Sequence, residues 1–473
     1  MLQIRFISGL ALGLFALLAF SLPLTPAQAC TTFTLQDGDD LYFVHSLNQG
    51  SVPRVDGAVF INPRDTWKNG HSWASLLDGD DSSGAGLVWK SLYGSVTFSP
   101  LGLEFPDGGM NEAGLFIWEM GFDPEYSTDE SLPVLFQMQW MQYQLDNFAT
   151  VPEVIEYLDR VALDGWGWHY MVADKQGRAA IIDFVDGHPV VTTGDALPIH
   201  LCCNSDYSVA MDWLKKHQGF GGDLPIEQRF SEIPRFIYGA KLMQEFKDQD
   251  PVEYCFKILD DMSVNVRWSI VFDVSRGEAY FKTNLDGGIR HFAFVPADFE
   301  PARGPLMLDI NSPGPADVRS RFVAHDSSWN AALLASILHH FMDEEADVEV
   351  LARSMTEKIR YGTDAMVPDS VGHWAGVMKV PAKGDWMDLT MDLSLERHGE
   401  LTGKISIEGM MAEARLSNLD ETAGLLSFTA AMPESGDLVQ FKLFMTADGI
   451  RGGAGTWDWD NRKTAFITLH KLP

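Results

Sequence analysis

Basic residues are scarce in this chain of 473, where 35 Lys and Arg stand against 66 Asp and Glu and leave a formal net charge of −31. Such a balance argues against nucleic acids and anionic membrane surfaces as partners, since both demand a basic face. Cysteine is scarcer still. Four in the whole chain are too few for a disulfide-built scaffold. Beyond residue 22 no apolar run is long enough to span a bilayer, so the rest of the chain reads as soluble, with no stable membrane insertion. A long internal repeat, cysteines at metal-ligand spacing, GxGxxG and GKS/T are all missing, so neither a metal nor any other cofactor is expected. The scattered histidines, including His339 and His340, read as surface or core residues.

What is present begins at the N-terminus. Arg5, the apolar run Ile7 to Leu22 and the small residues after it have the layout of a secretory signal peptide covering residues 1–29. The expected destination is therefore secreted or periplasmic. Losing Arg5 with the leader takes the formal charge from −31 to −32. Ala27 and Ala29 occupy the small-residue positions of a signal-peptidase site, and cleavage after Ala29 leaves Cys30 as the first residue. One residue then carries a thiol and a free α-amine. A thiol of ordinary pKa is only slightly ionised near neutrality and needs a base. An α-amine titrates far below a lysine, so Cys30 can supply nucleophile and base together. A lipid-modified cysteine is the alternative, and it would block both groups. Lipoprotein signals place a large aliphatic residue three positions earlier, where this chain has Ala27. With Cys30 reserved, Cys202, Cys203 and Cys255 leave one disulfide open in an oxidising compartment.

Thr31 to Phe43 reads as strand, turn, strand around Asp37-Gly38-Asp39-Asp40. Asn111-Glu112-Ala113-Gly114 makes a tight turn into the apolar strand Leu115 to Trp118, with Asn111 itself read as a turn residue. Thr150-Val151-Pro152-Glu153 is a capping box opening a helix over Val154 to Val161. Strands at 168–174 and 179–184 pair around Lys175-Gln176-Gly177. Another hairpin joins Trp268–Asp273 to Glu278–Thr283. Ser328 to Phe341 and Val348 to Ile359 read as helices. After Pro368 the pattern changes to short alternating strands between Gly/Asp turns, which predicts a separate antiparallel β-barrel or sandwich with some similarity to lipocalin-like modules.

Cys30-Thr31-Thr32-Phe33 at the head of a mature chain, followed by Val59 to Arg64, Asn-Glu-x-Gly at 111–114 and Asn204 after a buried strand, resembles the choloylglycine hydrolase and penicillin V acylase family. The resemblance spans roughly residues 30 to 300. It implies an α+β, αββα four-layer N-terminal-nucleophile (Ntn) fold, with residues 30–365 as the hydrolase domain and 366–473 as the β-rich one. It also implies hydrolysis of a linear, non-peptide amide in a small N-acyl compound, through a thioester on Cys30. Asn204 maps to the side-chain amide that donates to the oxyanion. Arg235, in Ser231-Glu232-Ile233-Pro234-Arg235-Phe236, maps to the site arginine, with Arg229 as the alternative.

Three positions depart from the family pattern. His45 and Asn48 stand where an arginine and an aspartate are usual, unless a one-residue shift makes them ordinary loop residues, and Gly121 stands where an asparagine or tyrosine contacts substrate. Trp118 and Glu119 are then candidate substrate contacts. A rival reading arises from these departures: a binding protein whose Ntn core has decayed and whose β domain holds an apolar ligand.

Overall fold

The computed structural model describes residues 30–48, 57–77, 87–129, 132–263, 266–312, 314–342, 347–362, 370–379, 386–396, 398–422, 425–433, 435–446, 449–455 and 465–472. The leader, its junction at Ala27 to Ala29 and the boundary at 365/366 lie outside them.

Alternation of apolar and polar residues around Gly38, whose φ of 61° suits a residue without Cβ, folds Thr31–Asp37 against Asp40–Asn48 as the sequence predicts. The first strand takes Leu201–Cys203 on its other edge. Val266–Asp273, Glu278–Thr283 and Arg290–Ala293 continue the sheet beyond the second, completing a six-stranded antiparallel sheet. A nine-stranded sheet faces it. There Leu115–Gly121 is central, between Trp168–Asp174 on one side and Gly108–Asn111 on the other.

The inner faces meet through aromatic rings. Phe43 lies 5.0 Å from Phe116, and Phe98 lies 6.0 Å from Phe272 and 5.9 Å from Phe281, centroid to centroid. Tilted and edge-on contacts at these distances are the favoured aromatic geometries. Helices Glu232–Glu245 and Pro251–Met262 pack on the first sheet, and Gln137–Asn147 packs on the second, which gives the four layers αββα.

One helix boundary differs clearly from expectation. The capping box at Thr150 is formed on both sides, but its helix runs Val151–Glu156 and ends in the short 3-10 turn Leu158–Arg160. Val161 is drawn into extended backbone because Ala162–Asp164 pairs in parallel with Val134–Phe136. The helix bearing Arg235 starts at Glu232, placing Pro234 in the first turn where no N–H is needed. The other two read from sequence are found at Ser327–Phe341 and Val348–Lys358.

The C-terminal strands, from Gly372–Lys379 to Ala465–Lys471, close into an eight-stranded antiparallel barrel. Along Trp386–Leu395 the buried Leu389, Met391 and Leu393 alternate with exposed Asp388, Thr390 and Asp392. Apolar inside and polar outside is the reverse of a lipid-facing barrel. Side chains fill the interior, among them Phe428 stacked on Phe441 at 4.6 Å. The barrel meets the hydrolase core through His398, whose ring lies against Phe148 and Tyr157 and whose carbonyl accepts from the Tyr143 hydroxyl at 3.0 Å.

Candidate active site

Cys30 precedes the first strand and has no exposed surface. Its place is fixed by register. The first strand pairs Thr31 with Cys203 and Thr32 with Cys202, so one further step along the same antiparallel ladder sets Cys30 beside Asn204. Asn204 is held at both ends of its amide. Arg235 Nη2 donates to Oδ1 at 2.9 Å, and Nδ2 donates to the Gly121 carbonyl at 2.9 Å. With the oxygen engaged by a guanidinium, the NH2 group is oriented, and among the described residues its second hydrogen has no acceptor, leaving it for a ligand. Gly121 therefore contributes a backbone acceptor at the position that lacks a side chain.

Arg235 is fully buried, while Arg229 is a surface residue paired with Glu227. Of the two arginines weighed from sequence, the structure brings only Arg235 to the site. Arg235 also lies close enough to Cys203 to lower its thiol pKa, which burial raises.

His45 and Asn48 lie on the second strand, both buried. The Thr32 hydroxyl donates to Met120 Sδ at 2.9 Å, leaving its oxygen to accept from His45 Nδ1 at 2.8 Å. The His45 ring stacks on Trp118 at 4.4 Å. Burial drives its pKa well below the usual value, so the ring is neutral. The backbone of Asn48 is hydrogen-bonded to the Cys30 thiol.

Trp118 and Glu119 are enclosed rather than displayed. Trp118 Nε1 donates to Asp107 Oδ2 at 3.1 Å, and Glu119 shares a hydrogen bond with the Asp107 carboxyl. Burial, then its acidic neighbour, raises Glu119 well above the carboxylate range. Burial also raises Asp107, while contacts from Trp118, Glu119 and Trp268 restrain it. The Cys30 thiol is pushed up by burial and by Glu119, drawn down by the Asn48 hydrogen bond, pushed up again by Asp107 and drawn down by Arg235. Before any cleavage it is a thiol, not a thiolate.

Sequence reasoning passed over two acids and a histidine. Asp107 was within reach, because the turn at 111–114 sets Gly108 opposite Trp118 and therefore Asp107 opposite Glu119. His169 was within reach in the same way. The hairpin pairs Tyr170 with Ile182, which sets His169 opposite Asp183, and Nδ1 lies 2.9 Å from Asp183 Oδ1.

Other candidates have structural roles. Asn111 donates to the carbonyls of Leu145 and Phe148, both at 2.7 Å, and accepts from the N–H groups of Ala113 and Leu115. Cys202, Cys203 and Cys255 are buried free thiols, so the disulfide left open by the sequence is not formed. Among the described residues no group of His, Cys, Asp and Glu is arranged to hold a metal ion, and no helix is long and apolar enough to cross a membrane. A cavity of about 380 Å³ lined by Thr34, Gln36, His200, Phe220 and Met243 includes none of the site residues.

Two antiparallel sheets between helical layers, with a cysteine at the head of the first strand, define the Ntn-hydrolase fold. Among solved structures the chain is similar to penicillin V acylase from Agrobacterium tumefaciens, with a TM-score of 0.54 and 22% identity over 63% of this chain and 98% of that one. Conjugated bile acid hydrolase from Clostridium perfringens gives a TM-score of 0.48 at 16% identity, over 60% of this chain and 97% of that one. In sequence the chain is 28% identical over 199 residues to a penicillin V acylase of Pectobacterium atrosepticum, covering 37% of this chain and half the length of that relative. No protein-family profile matches. These findings bear out the resemblance to the choloylglycine hydrolase and penicillin V acylase family.

Proposed function

We propose that this protein is a secreted or periplasmic hydrolase of linear amide bonds in small N-acyl compounds, with neither nucleic acid nor membrane insertion in its work. The observation that carries this reading is the ladder step that sets Cys30 beside Asn204, whose amide Arg235 orients. Cleavage after Ala29 frees the α-amine, which takes the thiol proton. The thiolate attacks the amide carbonyl, Asn204 donates to the resulting oxyanion, and the C–N bond breaks as the α-ammonium returns a proton to the leaving amine. Water then adds to the thioester, releasing the acid and restoring the thiol. Trp118 holds the neutral His45 ring against this wall, which makes it a positioning residue in this scheme.

Residues 1–29 act as the leader, 30–365 carry the chemistry and 366–473 form an accessory β domain. The rival binding-protein reading draws no support from the barrel, whose interior is filled by side chains such as Phe428 and Phe441.

The test is intact mass of the exported protein, before and after mixing with an N-acyl substrate such as penicillin V. Mass beginning at Cys30, then a transient acyl adduct on it, is the expected result. A diacylglyceryl adduct, or cleavage several residues away, overturns the proposal.

A further inference from the structure

The proposed function gives Cys30 a free α-amine, and the need for a counter-ion to it rests on that reading. When protonated, this amine is a cation beside a residue with no exposed surface, and a buried cation requires an anion close by. Around it, His45 is neutral, Arg235 is itself a cation, and Asn48 carries no charge. Two acids act electrostatically on Cys30: Glu119 and Asp107.

Their geometry is that of a pair. The ladder that sets Gly108 opposite Trp118 sets Asp107 opposite Glu119 one step further on, and their side chains are hydrogen-bonded to each other. Trp118 Nε1 anchors Asp107 at 3.1 Å, and His45 Nε2 stands 4.0 Å from the same carboxyl. Glu119 Oε2, in a residue 1% exposed, has no hydrogen-bond partner among the described residues. Facing carboxyls in an enclosed space do not both ionise. The pair therefore holds one proton and one negative charge, matching a single ammonium.

We propose that Asp107 and Glu119 act as one unit, the anion that holds the α-ammonium of Cys30, with Glu119 Oε2 as its acceptor. Charges at the site then balance. The thiolate and the acid pair bring two negative charges, and the ammonium and Arg235 bring two positive ones. The titratable groups around the pair are the Cys30 thiol, neutral His45 and the hydroxyls of Tyr126 and Tyr170, both of which burial keeps protonated, while Arg235 lies on the other side of Cys30's charge balance, acting on the thiol itself. By holding the ammonium, the pair sets the pH at which the amine becomes a base.

A shared proton makes the unit redundant, and this gives the proposal a distinctive signature. Asp107→Asn leaves Glu119 to carry the charge, and Glu119→Gln leaves Asp107 to carry it. Only the double variant removes it. The experiment uses protein beginning at Cys30 and labelled with ¹⁵N-cysteine, and follows the titration of the α-amine nitrogen by NMR. The expected result is little shift in either single variant and a fall of about one pH unit or more, tenfold in proton affinity, in the double variant. A double variant that titrates like the parent, or a single one that already shows the full shift, overturns the proposal.

Should the double variant fail to fold, the parent supplies the reciprocal measurement. By linkage the ammonium lowers the pair's proton affinity by the same factor, so the infrared band of the protonated carboxyl is compared between protein beginning at Cys30 and protein with one residue ahead of it. Persistence of the band to a pH about one unit higher in the extended protein is expected, and identical titrations overturn the assignment. Turnover of an N-acyl substrate is read separately. A shifted amine titration without turnover upholds the acid pair and removes the hydrolase reading, and the converse upholds the hydrolase and removes the pair.

Discussion

His169 ties the two sheets together beside Asn204: its Nε2 lies 2.9 Å from the backbone carbonyl oxygen of Cys203, while Nδ1 lies 2.9 Å from Asp183 Oδ1. Cys203 immediately precedes Asn204, so this contact fixes the peptide that carries the proposed oxyanion donor. His169→Ala is expected to lower kcat by about tenfold with little change in KM, since small misplacements of a catalytic group are costly. His169→Gln, which restores one donor, should recover part of the loss. Equal damage to KM would show that the tether shapes the substrate pocket instead.

Asn204→Ala is expected to lower kcat on an active substrate by about 10²-fold or more, the usual consequence of removing a donor aimed at developing charge. The thermal midpoint should fall as well, because Asn204 Oδ1 accepts from the buried Arg235 guanidinium, so kcat is compared at a temperature where both proteins are folded. Undiminished kcat would reassign Asn204 to bracing the Gly121 carbonyl alone.

Cys30→Ser keeps an N-terminal hydroxyl and amine, but an alcohol is far less ionised than a thiol, so turnover should fall steeply while the fold remains. One extra residue before Cys30 should be as damaging, because it turns the basic amine into an amide. A steady-state assay of the extended protein at the parent's rate would exclude the amine as base and turn attention to His45.

Away from the site, Glu104 meets Lys68 at 2.9 Å inside the core, where Lys68 also meets Asp146 at 3.0 Å. Burial pushes the Glu104 carboxyl up to about 7 despite the lysine. Its folded pKa is thus above the unfolded value, and the native state keeps a proton that the unfolded chain gives up. The stability this contributes is fully present below about pH 4.5 and is lost as pH rises towards 7. Urea denaturation of the parent should show this fall, of the order of 1–3 kcal/mol, and Glu104→Gln should flatten it. A parent curve no steeper than the variant's would mean that Lys68 keeps Glu104 ionised.

A chain ending at Ala365, which keeps Tyr361 and Gly362 paired with Lys68 and Trp67, tests the barrel. Among the described residues its strands pair with one another and its apolar residues form their own cluster, so the shortened hydrolase core should fold and retain thioester formation at Cys30. Removing His398 uncovers Phe148 and Tyr157, and a modestly lower thermal midpoint is expected. Loss of acylation in a folded core would show that the barrel completes the site.

Local patterns were legible wherever a short stretch decides its own structure. The hairpin around Gly38, the strands around Lys175 to Gly177, the capping box at Thr150 and the turn bonds of Asn111 to Ala113 and Leu115 all arise from residues within a few positions of one another. Helix Gln137–Asn147 gave no such signal. All eleven of its residues are buried, the glutamines among them, so it has no solvent-exposed face to set a period. Within the site, Cys30, Asn204 and Arg235 were singled out from sequence and do lie together. The acid pair and the His169 tether escaped because each needs a turn's register to be carried several residues further along the ladder. Gly121 escaped for another reason: its contribution is a main-chain oxygen, which residue type does not disclose.

Cys30, His45 and Arg235 have no exposed surface, and Asn204 has only 8%. In kinetic terms, an enclosed thiol meets a reagent only after part of its cover moves aside. At high reagent the alkylation rate of Cys30 should therefore level off at the frequency of that opening, and the same frequency would set a ceiling on how fast any amide could be turned over.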